Sequence, residues 1–242
     1  MKFLLLLPIL FLGSCSAPAL LPSSANNPVD LLPAKPEKGK LFSFYQARGD
    51  SQWKNNWTAG LDFTGVSWND PRCATLISPV HVVMAGHFIR DAHTPVMFHS
   101  RLGQPEERYI VAWKTLESVG DIAVGKLNMR LPSGFKAYRF ANPADAVPGK
   151  PVITTDQTLT ASIHRISAVY ASHVSFDYIP EIDPIYRRNL IPGDSGHPTF
   201  ILKSGELLLL ETHTTGGPGA GPFYGDPGVQ AAIRQAMAEL GS

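Results

Sequence analysis

The chain has 242 residues and a formal net charge of +1, because 21 lysines and arginines nearly balance 20 aspartates and glutamates. Only 17% of its residues are charged, which argues against a nucleic-acid-binding protein held by phosphate contacts. Hydrophobic residues make up 44% of the chain, so a disordered protein is excluded. Two cysteines, Cys15 and Cys73, are too few for a disulfide-rich scaffold or a four-cysteine zinc site.

Residues 1–14 have the features of a secretory signal peptide. Lys2 precedes an apolar run, Phe3 to Leu12, that is shorter than the roughly 20 residues needed to span a membrane. The sequence Leu-Gly-Ser-Cys that ends at Cys15 resembles the lipobox of bacterial lipoproteins. This resemblance implies that Cys15 receives a diacylglycerol and becomes the first mature residue. An ordinary secretory signal cleaved near Ala17 is the alternative. Because no aspartate follows the cysteine, the resemblance implies the outer membrane if the host is Gram-negative.

Residues 15–40 are predicted to be a spacer between the lipidated cysteine and a folded domain. They are rich in proline, serine, alanine and asparagine. Proline favours extended, semi-rigid chain, and this composition is poor in core-forming residues. We therefore expect this segment to hold the domain off a membrane. A poorly ordered terminus without a role is the alternative.

Residues 41–242 are predicted to form one mostly β domain. Apolar or alternating runs of strand length are separated by turn residues, and no helical stretch lies between them, which argues against a βαβ fold. A hairpin turn is expected at Lys203-Ser204-Gly205. Asp226-Pro227 predicts a helix start, and apolar residues at helical spacing follow to Leu240. The predicted strand runs are Ala59–Trp68, Thr75–Ile77, Val80–Met84, Tyr109–Trp113, Ile122–Leu127, Val152–Thr155, Ala161–Tyr170, Thr199–Leu202 and Leu207–Thr212.

Three short segments contain the residue types that nucleophilic catalysis requires. They are Leu-Ile-Ser-Pro-Val-His-Val-Val-Met-Ala-Gly-His ending at His87, Gly-Asp-Ile-Ala-Val around Asp121, and Pro-Gly-Asp-Ser-Gly-His around Ser195. A serine hydroxyl is a weak nucleophile that needs an adjacent base. Imidazole can take its proton and return it to the leaving group, and a carboxylate can fix the imidazole tautomer.

Together these segments resemble the trypsin/chymotrypsin-like serine protease family, from about Leu41 to Leu240. The resemblance implies two six-stranded antiparallel β-barrels with a C-terminal α-helix. It also implies that Ser195 is the nucleophile, His87 the general base and acid, and Asp121 the orienting carboxylate. The backbone N–H groups of Gly193 and Ser195 would form the oxyanion hole. No cofactor is implied, and the partner would be a polypeptide substrate.

The order of the three segments distinguishes between classes of hydrolase. The order here is His, Asp, Ser, whereas an α/β-hydrolase runs Ser, Asp, His with a Gly-x-Ser-x-Gly turn. Position 197 is His, so that turn motif is not present. Two alternatives remain open at this point. One is a catalytically inactive pseudoprotease that binds peptides at the cell envelope, and the other is an esterase using the same triad.

The chain departs from the family pattern near the nucleophile and at its N-terminus. His197 replaces the usual second glycine, and its ring is expected to point away from the site. No Ile-Val-Gly-Gly start is present near residues 40–70, so an N-terminal amine is not expected to neutralise Asp194. We predict an internal partner, either Arg187, Arg188 or His197, and no activating cleavage. Cys73 is expected to be a small buried residue without a disulfide partner.

The resemblance also indicates where a substrate side chain would bind. Asn189, six residues before Ser195, is a candidate for the pocket floor, and its neutral side chain does not favour a trypsin-like preference. His213, Thr214 and Gly216 belong to the expected substrate-binding strand, whose edge would pair with an extended peptide. His213 resembles the pocket histidine of glutamyl endopeptidases, and a structural histidine is the alternative.

Two further properties are read from the sequence. Four histidines lie six residues apart, at 81, 87, 93 and 99, but turn residues interrupt the run and no metal site is expected. The oligomeric state is not encoded in any motif, and a monomer is the default expectation.

Overall fold

The computed structural model of the protein describes residues 17–242. The predicted signal peptide and the predicted lipidation site at Cys15 lie outside these described residues. Within them, the chain forms short strands followed by one α-helix, α1 (Pro227–Leu240), and short 3₁₀ turns join several of the strands. The strands are β1 (Gly39–Lys40), β2 (Phe42–Phe44), β3 (Gln52–Trp53), β4 (Thr75–Leu76), β5 (His81–Ala85), β6 (Pro95–His99), β7 (Pro105–Thr115), β8 (Ile122–Leu127), β9 (Pro151–Asp156), β10 (Thr160–Val169), β11 (His173–Tyr178), β12 (Pro198–Lys203), β13 (Glu206–Thr212) and β14 (Ala220–Pro222).

Two curled antiparallel sheets form two half-barrels, which confirms the predicted fold class. The first has five strands in the order β4-β5-β8-β7-β6. The second has seven strands, in the order β13-β12-β9-β10-β11-β14, with β1 paired to β10. Strands β2 and β3 pair separately. The strands are therefore divided five and seven rather than six and six, and the arrangement is compatible with a chymotrypsin-like fold.

The main hydrophobic core joins the two sheets and the helix. Its buried members include Val83 and Ile122 from the first sheet, Phe200 and Leu209 from the second, and Ile233 from α1. Burying each of these side chains contributes roughly 1.5–3 kcal/mol relative to exposure. This shared core fixes the first half-barrel against the second, so loops from both sheets meet at a fixed geometry.

The run Ala59–Trp68 does not form the predicted strand. Its apolar side chains are buried in the core, but its backbone turns repeatedly. The side chain of Asp62 accepts hydrogen bonds from the backbone N–H and the hydroxyl of Thr64, at 3.1 and 2.6 Å. Gly65 lies so close to the Lys136 carbonyl that a Cβ atom would be 1.8 Å from its oxygen. Side chain to backbone bonds of this kind compete with strand pairing.

The predicted hairpin and helix are present. Ser204 and Gly205, between β12 and β13, have φ of 53° and 76°, the left-handed values that a tight hairpin turn requires. The Asp226 side chain caps α1 by accepting hydrogen bonds from the backbone N–H groups of Gly228 and Val229. The predicted runs did not include β1, β2, β3, β6, β11 or β14, which are short or lack clear alternation.

The segment from residue 17 to 40, predicted to be part of a spacer, contacts the domain at several points. Pro28 is buried in a 3₁₀ turn (Pro28–Leu31) that is capped by the Asn27 side chain. The carbonyl of Ala25 accepts a hydrogen bond from Gly205 at 2.8 Å, and β1 pairs with β10. Leu21 also packs against the main core. Proline-rich chain can dock in an extended form because proline loses little conformational entropy on ordering.

No helix found between residues 17 and 242 has both the length and the apolar character needed to cross a bilayer.

Candidate active site

The register of two neighbouring strands brings His87 beside Asp121. In the first half-barrel, Ala85 at the end of β5 pairs with Ile122 at the start of β8. His87 follows β5 in a 3₁₀ turn, and Asp121 directly precedes β8, so both side chains leave the sheet at the same edge. Gly86 permits this approach, since a Cβ atom there would lie 2.8 Å from Asp121 Oδ1. Ser195 comes from the loop before β12 in the second half-barrel.

The three side chains form one hydrogen-bonded line across the two half-barrels. His87 Nδ1 lies 2.5 Å from Asp121 Oδ2, and His87 Nε2 lies 3.0 Å from Ser195 Oγ. Asp121 Oδ1 also accepts a hydrogen bond from the backbone N–H of His87 at 2.7 Å. Oδ2 therefore orients the imidazole ring, and Oδ1 holds the backbone of the same residue. In the neutral tautomer with its proton on Nδ1, the ring has an acceptor at Nε2 that faces Ser195 Oγ.

A buried arginine fixes the segment that carries His87. Arg90 is fully buried, and its guanidinium donates to the backbone carbonyl of Arg72 at 2.8 and 3.0 Å and to that of Pro95 at 2.6 Å. It also donates to the side chains of Asn69 and Ser67. These contacts tie the chain just after His87 to the chain just before β4. Cys73 lies in the same region and is a free, buried thiol, as expected, and burial raises its pKa to about 12.

The backbone around Ser195 leaves two N–H groups available for a ligand. Gly193 has φ of 99°, a left-handed value that favours glycine. Asp194 N–H donates to Ile191 O and Gly196 N–H donates to His213 O. Within residues 17–242, the N–H groups of Gly193 and Ser195 donate to no protein acceptor. Two such free donors next to a nucleophile are the arrangement that an oxyanion hole requires.

Asp194 has an internal partner, and that partner is Arg188. The buried carboxylate accepts hydrogen bonds from the backbone N–H groups of Gln157 and Ile191, at 3.1 and 2.8 Å. The Arg188 guanidinium lies 3.5 Å from Asp194 Oδ2, and its Nε lies 3.0 Å from the buried carboxylate of Asp156. One guanidinium thus forms ion pairs with two buried carboxylates, although its Nε and Nη2 make no hydrogen bond with either.

Neither of the other two candidates pairs with the carboxylate of Asp194; the ring of His197 contacts only the Asp194 backbone carbonyl, at 3.2 Å. Arg187 donates to the backbone carbonyls of Ile179, Pro180 and Ile182. His197 is buried, and its ring packs against Trp68 with a centroid distance of 6.2 Å. Burial and the nearby charge of His213 lower the pKa of His197 to about 3, so its ring is neutral. The ring points into the core, as expected for a residue that leaves the cleft unobstructed.

A cleft of about 270 Å³ adjoins Ser195 and His87. Thr214 and Gly216, two of the expected substrate-binding residues, line it together with Leu190. Two backbone hydrogen bonds, at 2.8 and 3.0 Å, join Leu190 to Gly217. Asn189 is outside this cleft: its side chain is exposed and accepts a hydrogen bond from Tyr178. The structure therefore brings the neighbouring Leu190 to the cleft, but not Asn189.

His213 lines the cleft, but both of its ring nitrogens are engaged by the protein. Nδ1 lies 2.8 Å from a carboxylate oxygen of Glu211, and Nε2 lies 3.1 Å from the carbonyl of Thr155. Burial opposes protonation of His213, but the Glu211 carboxylate outweighs it and raises the pKa of the ring above its usual value. Both ring nitrogens thus face protein oxygens, and neither is directed at a substrate carboxylate.

The four evenly spaced histidines do not converge. His81 lies at hydrogen-bond distance from Ser78 and the Gly241 carbonyl, and His99 lies at that distance from the Gln46 carbonyl. Among residues 17–242, no group of three or more His, Cys, Asp or Glu side chains is placed to hold a metal ion.

Three supporting residues were missed by sequence reasoning: Arg90, Gln157 and Glu211. Arg90 and Gln157 contact residues far along the chain, so no local spacing marks them, whereas Glu211 pairs with His213 two residues later. A weak signal was present in Glu211, because a carboxylate inside the apolar run Leu207–Thr212 needs a buried partner.

Two buried neutral histidines predict a loss of stability in mild acid. Burial lowers the pKa of His164 to about 4 and that of His197 to about 3, against about 6.5 in the unfolded chain. Below pH 6.5 the unfolded chain therefore binds protons that the folded chain does not. We expect the free energy of unfolding to fall from pH 6.5 toward pH 4, by about 1.4 kcal/mol per pH unit for each histidine.

Urea unfolding at a series of pH values measures this slope. His164→Gln should reduce it by about one proton. His93→Asn is the matched control, because His93 is exposed and has φ of 63°, which asparagine tolerates. An unchanged slope in His164→Gln would show that this ring is not buried in its neutral form.

Comparison with known proteins gives no assignment, because no protein-family model and no curated protein matches this sequence.

Proposed function

We propose that the protein is a serine endopeptidase that hydrolyses peptide bonds through an acyl-enzyme and is tethered to a bacterial envelope through lipidated Cys15. The catalytic part of this proposal rests on two contacts of the His87 ring. Nε2 lies 3.0 Å from Ser195 Oγ, and Nδ1 lies 2.5 Å from Asp121 Oδ2. The two free N–H groups at Gly193 and Ser195 add the donors that acyl transfer needs. The lipid anchor is proposed from the lipobox-like sequence alone.

The proposed reaction follows from this geometry. His87 Nε2 takes the hydroxyl proton of Ser195 as Oγ attacks the peptide carbonyl carbon. The carbonyl oxygen becomes an oxyanion held by the N–H groups of Gly193 and Ser195. His87 then gives the proton to the amine nitrogen, the C–N bond breaks, and an ester to Ser195 remains. Water, deprotonated by His87, attacks that ester, and the proton returns to Ser195 as the acid product leaves.

Asp121 acts through His87 and is proposed as its positioning residue. Its two oxygens accept from the ring Nδ1–H and from the backbone N–H of the same residue. This fixes the ring plane and stabilises the imidazolium that forms while the proton is in transit.

The edge of the cleft provides a site for extended peptide. Within the described chain, the backbone N–H of Gly216 donates to no protein acceptor. A Cβ atom there would lie 3.0 Å from the Leu190 carbonyl, so glycine keeps this edge open. A substrate strand can therefore pair with this backbone by β-augmentation.

The cleft supports an uncharged and fairly short substrate side chain before the scissile bond. Leu190 is a buried apolar residue that lines the cleft and is bridged to Gly217 by two backbone hydrogen bonds, and we propose that it limits the depth of the pocket. Asp194 is buried and paired with Arg188, and His213 is paired with Glu211, so neither offers a free charge. This geometry does not support the acidic preference suggested by His213 alone. A charged side chain would lose its hydration without gaining a partner.

A peptide library varied at that residue tests this preference. We expect kcat/KM for Ala, Val or Leu to exceed that for Asp, Glu, Lys or Arg by about 10²-fold or more, as expected for unpaired buried charges. Leu190→Ala should shift the preference toward larger side chains such as Phe. Ile191→Ala, at an exposed position on the rim of the same cleft, is the control and should leave the ranking unchanged. Preferred cleavage after an acidic or basic residue would contradict the proposed pocket.

Hydrolysis of an unfolded protein substrate, with a simple ester measured in parallel, tests the proposed reaction. Wild-type protein should cleave both, because the acyl-enzyme forms from either carbonyl. Turnover of the ester without cleavage of any peptide bond would contradict an endopeptidase and favour an esterase.

A further inference from the structure

The described chain begins on the surface of the domain and is held there. The Arg101 guanidinium donates a hydrogen bond to the carbonyl of Pro18. Leu21 donates its backbone N–H to the Gly60 carbonyl at 3.3 Å. Its side chain fills the space over Gly60, where an added Cβ atom would lie 2.5 Å from Leu21 Cδ2. The chain is thus attached to the body of the protein within a few residues of Cys15.

This attachment limits how far a lipid on Cys15 can be from the domain. Cys15 precedes Ala17 by two residues. Consecutive Cα atoms are at most about 3.8 Å apart, so the Cα of Cys15 lies within about 8 Å of that of Ala17. An acylated cysteine must reside at the membrane surface. The part of the domain around Ala17 would therefore also lie at that surface.

The surface around Ala17 carries exposed apolar side chains. Ala17, Ala19, Ser43 and Leu102 line one shallow cleft. Three large apolar residues belong to this region: Leu102 lines the cleft, Leu20 follows the lining residue Ala19, and Phe44 pairs across β2 and β3 with the lining residue Gln52. Leu20, Phe44 and Leu102 are 59%, 53% and 52% exposed. We call these three residues the N-terminal face.

The charges near this face favour an apolar contact over one that depends on anionic lipid. Arg48 is paired with Glu107 at 3.1 Å. Arg101 donates to the neutral carbonyl of Pro18 and so keeps its charge, but these two arginines do not form a cluster of uncompensated cations. Leu and Phe side chains, by contrast, are suited to insertion at the boundary of headgroups and acyl chains.

We propose that the N-terminal face, Leu20, Phe44 and Leu102, lies against the bilayer that holds the lipid of Cys15. The proposal rests on the lipid anchor in the proposed function. The domain is then seated on the membrane in one orientation. It is not suspended above it on a free linker, because the segment that would form the linker is packed on the domain.

Fluorescence quenching by nitroxide lipid in the full-length lipidated protein tests this orientation. Phe44→Cys and Leu102→Cys are labelled with bimane after reconstitution into phosphatidylethanolamine vesicles that contain a lipid spin-labelled near its headgroup. Cys73 does not interfere, because it is buried and its pKa is raised to about 12. Tyr170→Cys, exposed on the second half-barrel, and Ile191→Cys, at the rim of the cleft, are the matched controls.

We expect quenching at positions 44 and 102 to be several-fold stronger than at positions 170 and 191. The mass of the mature N-terminal peptide, measured on the same protein, reports whether Cys15 is acylated. Equal quenching at all four positions with Cys15 acylated would overturn the orientation and leave the anchor standing. An unmodified Cys15 would contradict the anchor and, with it, this orientation, without bearing on the proposed peptidase activity.

Discussion

Replacing Ser195 or His87 with alanine is expected to lower kcat for peptide hydrolysis by about 10⁴–10⁶-fold. Without the hydroxyl no acyl-enzyme forms, and without the imidazole no base lies 3.0 Å from Oγ to take its proton. Because the two side chains act as one unit, the double variant should be no slower than either single variant. Asp121→Asn should lower kcat by about 10⁴-fold, since an amide can stabilise the wrong imidazole tautomer.

These effects are measured as kcat on the best library peptide. Ser133→Ala and His93→Asn remove exposed residues of the same types and should leave kcat unchanged. Urea midpoints of all variants should remain close to that of wild type, because the side chains of His87 and Asp121 are partly exposed. A Ser195→Ala variant that keeps activity within tenfold of wild type would exclude the proposed nucleophile.

Arg188→Met is expected to reduce both activity and stability. The substitution leaves the buried carboxylates of Asp156 and Asp194 without a cation, which costs on the order of 3 kcal/mol of folding free energy. The backbone of Asp194 lies between the N–H groups of Gly193 and Ser195. If the Asp194 backbone moves, these two groups should no longer be positioned to stabilise an oxyanion. Loss of a single oxyanion donor costs roughly 10²–10³-fold in kcat.

Kinetics of the folded variant distinguish a role of Arg188 in positioning the oxyanion donors from a role in stability alone. Measured at a temperature where the variant is folded, kcat should still be reduced while KM changes little. Arg188→Lys should recover part of kcat by restoring the charge. Arg139→Met, at an exposed arginine paired with Glu206, is the control. Normal kcat in folded Arg188→Met would show that Asp194 keeps the oxyanion loop in place without this cation.

The same pairing predicts that no activating cleavage is required. Asp194 already has two backbone donors and a guanidinium, so a new N-terminal amine is not needed to neutralise it. N-terminal sequencing of fully active protein should find no cut within the domain. An obligatory internal cut would contradict this prediction.

The sequence predicted the parts of the fold and site that depend on local pattern. The spacing of apolar residues predicted the β class, and glycine after serine predicted the turn at Ser204-Gly205. The N-capping residue Asp226 predicted the start of the helix. All three signals come from residues that are neighbours in the chain. The residue types at positions 87, 121 and 195 were also evident from their motifs. Their convergence depends on the β5–β8 register and on the core that joins the half-barrels.

Other features depend on contacts between distant segments and could not be read from local pattern. The prolines before residue 40 suggested a free spacer, but their docking depends on surfaces near Gly60 and Gly205. Asn189 was expected at the pocket floor from its distance to Ser195 along the chain, but its side chain is exposed outside the cleft that Leu190 lines. Arg188 could be chosen over its neighbour only once side-chain directions were known.

Labelling of the folded protein with a fluorophosphonate, followed by peptide mapping, tests the central proposal most directly. This reagent phosphonylates a serine whose proton can be taken by an adjacent base and whose oxyanion is stabilised. We predict one adduct per chain, on Ser195, with none in Ser195→Ala or His87→Ala. Folded wild-type protein that takes up no label, or is labelled at another serine, would contradict the assignment of Ser195, His87 and Asp121 as a catalytic triad.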